Sequence, residues 1–582
     1  MNRFSKIAFG ACCVFIFLTG FFYYPKWKQQ ATEATLSWDV SGYYLYLPAT
    51  FIYKDLKQCR FFDSVLQKYH PTPDFQQAIR QESGNCVMKY TMGQAILFAP
   101  YFFAAHGYAL LTAYPADGFS SPYQVCIGLG MLLYSFIGLW FLRKILLRYF
   151  HDRVVAITLL IVAFATNYLN YSAIDGGMTH NTLFMLYALF MYRVIRFYEQ
   201  PTKRTAVAIG LLAGLLVLVR PTEIICILIP LLWNVSGFTD LKQKISRTIV
   251  GINTWIMGAI AFVLLVSLQL IYWKWSSGRW VFDGYRNEGF DWLRPHIGPG
   301  LFSYKGGWFT YTPAMLFVLP GFFVLYVRFK KIFFAVFLFS LFFLYVCFSW
   351  KEWWYGASLG QRAIIQAYPL FCFPIAAFFD WLGQRRLLVF ITTLFISFCI
   401  FYNLWLTHQA HRGHLFQGGS MTGAYLWRIA GRFDVPKETQ LLLDNEEQVP
   451  ASMLKDSVAI QTDPTATAAI LDSVHPYSPG YSLMIPKNIE WVRVNVLVST
   501  PVKEWDVWKM PQATILFYNG DEVIKTNYIR ISRILSDGET GVVFVDAKVP
   551  PQYNKAKLSL WNGDSQKVLT IHKISVLGFA GK

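Results

Sequence analysis

The stretch Phe141-Leu142-Arg143-Lys144-Ile145-Leu146-Leu147-Arg148-Tyr149-Phe150-His151-Asp152-Arg153 sets four cations against one carboxylate between two apolar runs. Lys and Arg concentrate in cytoplasmic loops, so a stretch of this kind marks the inner side of a membrane. The chain has the composition for that setting. Of its 582 residues 55% are hydrophobic and only 15% charged, against roughly 25% charged in ordinary soluble domains. Between Ile7 and Leu406 the apolar residues form runs of about 18 to 25, long enough to cross ~30 Å of hydrocarbon as helices.

Five further basic stretches repeat the pattern. They are Arg3 and Lys6; Arg193, Arg196, Lys203 and Arg204; Lys242, Lys244 and Arg247; Arg328, Lys330 and Lys331; and Arg385 with Arg386, each at the end of an apolar run. These loops hold most of the +18 net charge, which therefore records topology and excludes a nucleic-acid surface. With all of them inside, about eleven spans are predicted: 7–24, 122–142, 154–173, 178–197, 205–220, 221–235, 248–273, 312–328, 332–349, 362–382 and 387–406. The N-terminus lies inside and the C-terminus outside. No small-residue cleavage site follows the first span, so an uncleaved anchor is expected. The stretch 93–114 is apolar enough to span, but counting it would turn 143–153 outward. It is read as an interfacial or re-entrant helix on the outer face. The pair 205–220 and 221–235 reaches only ~23 Å per member. It is read as a hairpin in thinned membrane, because a single kinked span would place 328–331 and 385–386 outside.

This path makes 1–410 a multi-span α-helical membrane domain with an outer loop at 25–121. A membrane-proximal connector at 411–450 follows, with an amphipathic helix around 425–432. From 451 to 582 the sequence alternates as strands do, at 491–499, 513–518, 523–533, 541–549, 556–561 and 568–577, with turns at Asn519-Gly520-Asp521 and Asn562-Gly563-Asp564. A soluble all-β sandwich outside the membrane is predicted, of jelly-roll type. Seven of the nine cysteines fall in apolar spans. Cys59 and Cys86 share the outer loop, where an oxidising compartment would allow them to bridge; two unrelated thiols are the other reading.

Polar residues on the outer side beside the bilayer are the informative ones, since burying them is costly without a role. Asp39, in Ser37-Trp38-Asp39-Val40-Ser41-Gly42, is a lone carboxylate among aromatics and suits a general base, a cation ligand or a helix cap. Asp175 and His180 flank an outer turn. Arg220-Pro221-Thr222-Glu223 places a guanidinium that either pairs with Glu223 or faces an anion. Lys305 lies in 301–313, and 350–362 reads Trp350-Lys351-Glu352-Trp353-Trp354-Tyr355-Gly356-Ala357-Ser358-Leu359-Gly360-Gln361-Arg362. Tryptophans offer faces to sugars and the cations suit phosphate. An aromatic belt alone would not need Gly356, Ser358, Gly360 and Arg362.

At these residues the chain resembles the GT-C superfamily of polytopic membrane glycosyltransferases, in its bacterial protein-mannosyltransferase-like and lipopolysaccharide-core-transferase-like branch. Four features over residues 1 to about 406 carry the resemblance. They are Asp39 after the first span, the long outer loop, Leu-Phe-Ser-x-x-x-Gly-x-Phe-x-x-Thr-Pro at 301–313, and Trp-x-x-Trp-x-x-Gly-x-Ser-x-Gly-x-Arg at 350–362. The resemblance implies a hexosyl- or pentosyltransferase that takes a polyprenyl-phosphate-linked sugar from the bilayer. Its acceptor would be a cell-envelope glycan, lipid or protein on the periplasmic side. Asp39 would be the catalytic base, with inversion at the sugar. Arg362, Lys305, Arg220 and His180 would bind the donor phosphate, and Trp350, Trp353, Tyr355, Ser358, Gln361 and Asp175 the substrate. No cofactor is expected: many relatives carry further acids near the first, whereas here the next in the loop is Asp55, which makes a divalent metal doubtful. The implied location is a bacterial inner membrane, multi-pass, with the C-terminal domain in the periplasm. The competing readings are a transporter or flippase of lipid-linked glycans, which would show paired broken helices, and an inactive glycan-binding scaffold. Reporter fusions placed after Arg153 and after Arg386 should both report cytoplasm; an outside signal at either overturns the span count.

Overall fold

The computed structural model describes residues 2–250, 252–286, 288–383, 385–460, 469–501, 511–563 and 567–580. The chain divides into two compact units, Met1–His414 and Leu415–Lys582. The first is helical. Among the described residues, six helices are long and apolar enough to cross a membrane: Arg3–Lys28, Ser121–Leu146, Ile252–Ser277, Lys330–Ser349, Arg362–Leu382 and Arg386–Gly413. Two shorter apolar helices, Pro221–Leu232 and Pro313–Arg328, occupy the predicted spans 221–235 and 312–328.

The predicted spans at 154–173, 178–197 and 205–220 are also helical, as Asp152–Phe164, Thr179–Glu199 and Lys203–Val219. The first of these is 13 residues long, and after a break at 165–167 the chain is helical again over 168–174. Such a helix rises only ~20 Å. In the break, the Asn167 side-chain amide donates to the carbonyl oxygen of Leu359 (3.0 Å). At Arg220 the backbone is extended (φ −153°, ψ 113°), and Pro221 opens the next helix as a 3-10 turn, as a missing N–H and a fixed φ favour. The apolar stretch 93–114 forms Gly93–Leu110, packed against Ser121–Leu146 and Lys203–Val219. Helices Lys203–Val219 and Ile252–Ser277 cross where Gly210 meets Gly258, so closely that a Cβ on Gly210 would lie 1.9 Å from the Gly258 carbonyl oxygen. Small residues at a crossing let helices approach within lipid, where no hydrophobic force drives them together.

The loop at 25–121 is ordered by its own elements. Short helices Trp38–Tyr44, Tyr46–Phe51 and Phe61–Tyr69 precede a hairpin of β1 (Ala78–Arg80) and β2 (Cys86–Met88). Cys59 and Cys86 are both buried and unbridged, and the Cys59 thiol donates to the Leu56 carbonyl (3.8 Å). The Cys86 amide donates to the Lys57 carbonyl (2.7 Å), which draws the two segments together.

The second unit holds an antiparallel β-sandwich. One sheet runs β5 (Tyr481–Leu483), β10 (Lys555–Trp561), β7 (Gln512–Asn519), β8 (Glu522–Arg530). The other runs β3 (Ser457–Ile460), β11 (Leu569–Ala580), β6 (Ile489–Ser499), β9 (Thr540–Lys548), with β4 (Ala469–Leu471) also paired to β11. All six strands expected from alternation are present. The three that alternation missed, β3 to β5, are three or four residues long, too short to show a period. On β6, Val492, Val494, Val496 and Val498 point into the core with Ile515, Phe517, Val545 and Leu558, as a period of two requires. The expected turn at 519–521 carries Gly520 at φ +63°; Asp564 of the other turn lies outside the described residues.

Residues from Leu415 onward, expected as a membrane-hugging connector, belong to this unit. A helix at Gly423–Ile429 falls where amphipathicity placed one. Leu441 enters the sandwich core, and the Asn445 amide donates to the Asp546 carbonyl (2.6 Å). Asp546 is the anchor of this region. Its buried carboxylate takes two bonds from the Arg493 guanidinium (2.7 and 2.8 Å) and one from the Val449 amide (2.9 Å). Asp546→Ala would strand that guanidinium and amide. It should cost about 3–5 kcal/mol, read as a lower unfolding midpoint of the β unit in the full-length protein.

Candidate functional site

The 350–362 segment is irregular, and its shape comes from side chains that grip its backbone. The Leu359 amide donates to the Tyr171 hydroxyl (3.0 Å), and its carbonyl accepts from Asn167 (3.0 Å). Tyr368 in turn donates to Asn167 (2.7 Å). Within the segment, Ser358 donates to the carbonyls of Trp354 (3.1 Å) and Gly360 (2.8 Å), and Gln361 to that of Trp353 (2.9 Å). Ser358 and Gln361, expected to touch substrate, thus spend these donors on the loop itself. Gly360 has φ +63°, and a Cβ there would meet Tyr311 at 2.9 Å. Tyr355 holds φ +55° without being glycine, a strain of about 1–3 kcal/mol. Its hydroxyl donates to the Cys347 carbonyl (3.0 Å), which holds it there.

A second loop closes on this segment. Phe290 and Trp350 form a bridge, and the Lys351 amide donates to the Gly289 carbonyl (2.9 Å). Trp350 packs on Phe290 (4.8 Å) and Tyr285 (5.2 Å), while Trp353 lies against Trp354 and His296. Both tryptophans therefore have protein neighbours on part of their faces.

The end of the segment delivers Arg362 to Asp39. Their side chains meet at 3.2 Å, Nη2 to Oδ2, across 323 positions of sequence. The other Asp39 oxygen accepts from the Tyr90 hydroxyl (2.8 Å). Asp39 sits in the first turn of Trp38–Tyr44, and Trp38 before it is held at φ +47° with its amide on the Pro71 carbonyl. Gly42 on the same helix makes room for Tyr90: a Cβ there would stand 2.7 Å from the ring. Tyr90 packs on Tyr43 (4.4 Å) and Tyr285 (6.0 Å).

Arg220 and His180 join the same cluster. Tyr43 and Tyr285 each lie in the field of Asp39, Arg362 and Arg220, and His180 in that of Arg220 and Arg362. Arg220 does not pair with Glu223; its guanidinium lies over the Tyr355 ring (5.6 Å). Glu223 instead accepts from Tyr187 (2.6 Å) and from the Gln366 amide, whose oxygen faces His180 Nδ1 (3.0 Å). Lys305 places its ammonium over Trp354, 3.1 Å from the ring centroid.

Asp175 is differently occupied. It pairs with Lys26, accepts from Asn170 (3.0 Å) and faces His411. Burial alone would raise its carboxyl, but Lys26 and then His411 outweigh that and hold it well below the usual carboxylate range. This carboxylate ties the first helix to the turn before His180 rather than extending into the Asp39 cluster.

Several residues of the cluster gave no signal in the sequence. Tyr90, Tyr285 and Lys89 are aromatics and a cation of unremarkable loops; Lys89 lies over both tyrosine rings and faces Glu288 (3.8 Å). Burial raises the Glu288 carboxyl against Lys89, and Glu352 and Asp39 nearby add to the rise. Among the described residues no three His, Cys, Asp or Glu side chains are grouped to hold a metal ion.

No family model matches the chain, and no curated protein matches it. Among the solved structures that do match is the crystal structure of the Archaeoglobus fulgidus oligosaccharyltransferase in the apo form, at 10% identity and a TM-score of 0.43. The match covers 73% of this chain and 58% of that one, so the chain spans somewhat over half of that protein's length.

Proposed function

We propose that this protein is a membrane glycosyltransferase that moves a sugar from a polyprenyl-phosphate donor to a cell-envelope acceptor on the non-cytoplasmic side. One observation carries the reading. Asp39, in the loop after the first helix, and Arg362, the last residue of the tryptophan-rich segment, meet at 3.2 Å, and the charge of Arg220 reaches the tyrosines around them. A carboxylate paired with a guanidinium and ringed by aromatics, with a second guanidinium acting on the same rings, suits a hydroxyl nucleophile and a phosphate leaving group.

In this reaction the acceptor oxygen attacks the anomeric carbon, and its proton passes to Asp39. The bond from that carbon to the phosphate oxygen breaks on the opposite face, and the electron pair leaves with the lipid phosphate. Arg362 and Arg220 neutralise the charge that develops there, the role in which fixed cations contribute most. Arg362 then has two partners in sequence. Without donor it holds Asp39; with donor its planar fork engages the phosphate, and Asp39 Oδ2 is left to accept from the acceptor hydroxyl. Tyr90 keeps the carboxylate oriented through the exchange. Lys305 and the tryptophans of 350–362 supply a further cation and ring faces along the sugar's path.

Asp39→Asn should lower transfer by about two to four orders of magnitude with expression intact; near-normal transfer removes Asp39 as base. Arg362→Ala should lower kcat by about two to three orders of magnitude, with little recovery in Arg362→Lys, since an ammonium cannot reproduce the fork. Tyr90→Phe should cost about tenfold. Mass spectrometry of polyprenyl-linked sugars and envelope glycans in a deletion strain tests the whole reading. A donor that accumulates while one glycan loses a sugar supports it. An unchanged glycan profile with altered solute uptake overturns it in favour of transport.

A further inference from the structure

Behind the cluster lies a buried polar chain that the transfer steps leave unused. Glu223, Gln366, His180 and Tyr187 are all at most 3% exposed. Three donors converge on the Glu223 carboxylate: the Tyr187 hydroxyl (2.6 Å), the Gln366 amide nitrogen and the Thr222 hydroxyl (3.5 Å). That is the environment of an acceptor-only carboxylate. It dictates the orientation of Gln366. With its NH2 turned to the carboxylate, the amide can offer only its oxygen to His180, and that oxygen stands 3.0 Å from Nδ1. Nδ1 must then carry the proton. The other ring nitrogen, Nε2, has no hydrogen bond to any described residue.

We infer that Glu223, acting through Gln366, fixes His180 as the neutral Nδ1–H imidazole, so that Nε2 accepts a hydrogen bond from a hydroxyl of the donor sugar. The ligand's identity rests on the transferase reading. His180 packs on the Tyr171 ring (6.0 Å), whose hydroxyl holds the Leu359 amide three residues before Arg362, so the hydroxyls that reach it are those of the sugar esterified to the phosphate at that arginine. This reverses the role that the resemblance implies for His180. A neutral Nδ1–H ring meets phosphate with a lone pair and is repelled; it meets a hydroxyl as an acceptor. Glu223 and Gln366 are positioning residues in this arrangement. They also make the pocket selective, because a buried acceptor left unmatched by a ligand lacking that hydroxyl costs affinity.

The tautomer can be read without turnover. Protein labelled with 15N-histidine and held in lipid nanodiscs should show His180, assigned by the signals lost in His180→Gln, as the Nδ1–H form. In Glu223→Gln the new amide can donate to Gln366 and turn it over, so the ring should switch to Nε2–H. Gln366→Met removes the acceptor and should abolish the preference. Kinetics supply the second arm. Glu223→Gln should lower kcat/KM for the sugar-bearing donor about tenfold to a hundredfold, while inhibition by polyprenyl phosphate, which has no sugar hydroxyl, is unchanged. An Nε2–H or doubly protonated ring in the wild type, or a tautomer indifferent to both variants, overturns the relay. Equal loss of affinity for donor and bare polyprenyl phosphate overturns the hydroxyl assignment. Wild-type protein that transfers no sugar overturns the transferase reading, and the tautomer still decides the relay.

Discussion

A carboxylate and a guanidinium at 3.2 Å, from residues 39 and 362, impose the strictest demand on the helical unit. Each is partly buried, and each would be expensive there without the other. Bringing them together requires the loop after the first helix and the irregular segment before Arg362–Leu382 to end at one point. Much of the surrounding structure serves that convergence. Gly42 lets Tyr90 reach Asp39, and Asn167 and Tyr171 hold the Leu359 peptide from both sides. The loop carrying Tyr285 and Phe290 packs against Trp350.

The pair also explains where strain is stored. Trp38 and Tyr355 are bulky residues with positive φ, one beside Asp39 and one in the segment that ends at Arg362. Such backbone persists only where the neighbouring contacts over-determine it. Here the contacts are hydrogen bonds from Trp38 to Pro71 and from Tyr355 to Cys347. Under the proposed reaction, the strained peptides hold the base and the cation in place before substrate arrives. Positioning of that kind is a large part of what a site can contribute to rate.

Two polar systems meet near this point, and they differ in kind. Asp175 is saturated by Lys26, Asn170 and His411, so it acts as a latch between the first helix and the turn before His180. Glu223 accepts from neutral donors and passes its polarity along Gln366 to a ring whose other nitrogen has no hydrogen bond to any described residue. Both are acids near the membrane, and residue type alone would not separate them. Their partners do.

The sequence by itself determined the division into an apolar helical region and a β region, the place of the long apolar helices, and six of the sandwich strands. These follow from properties that repeat along the chain: the length of apolar runs, cations at their ends and a period of two. It also singled out Asp39, His180, Arg220 and Arg362, because polar residues beside a bilayer stand out against apolar surroundings. Only the tertiary structure decided which of them meet. The hold of Asn167 on Leu359, the capture of Asp175 by Lys26, and the partners of Tyr90 and Gln366 all depend on residues far away in the chain. A hydrogen bond between residues hundreds of positions apart leaves no period or composition to read. It exists only once the packing of the helices has brought its two ends within three ångströms.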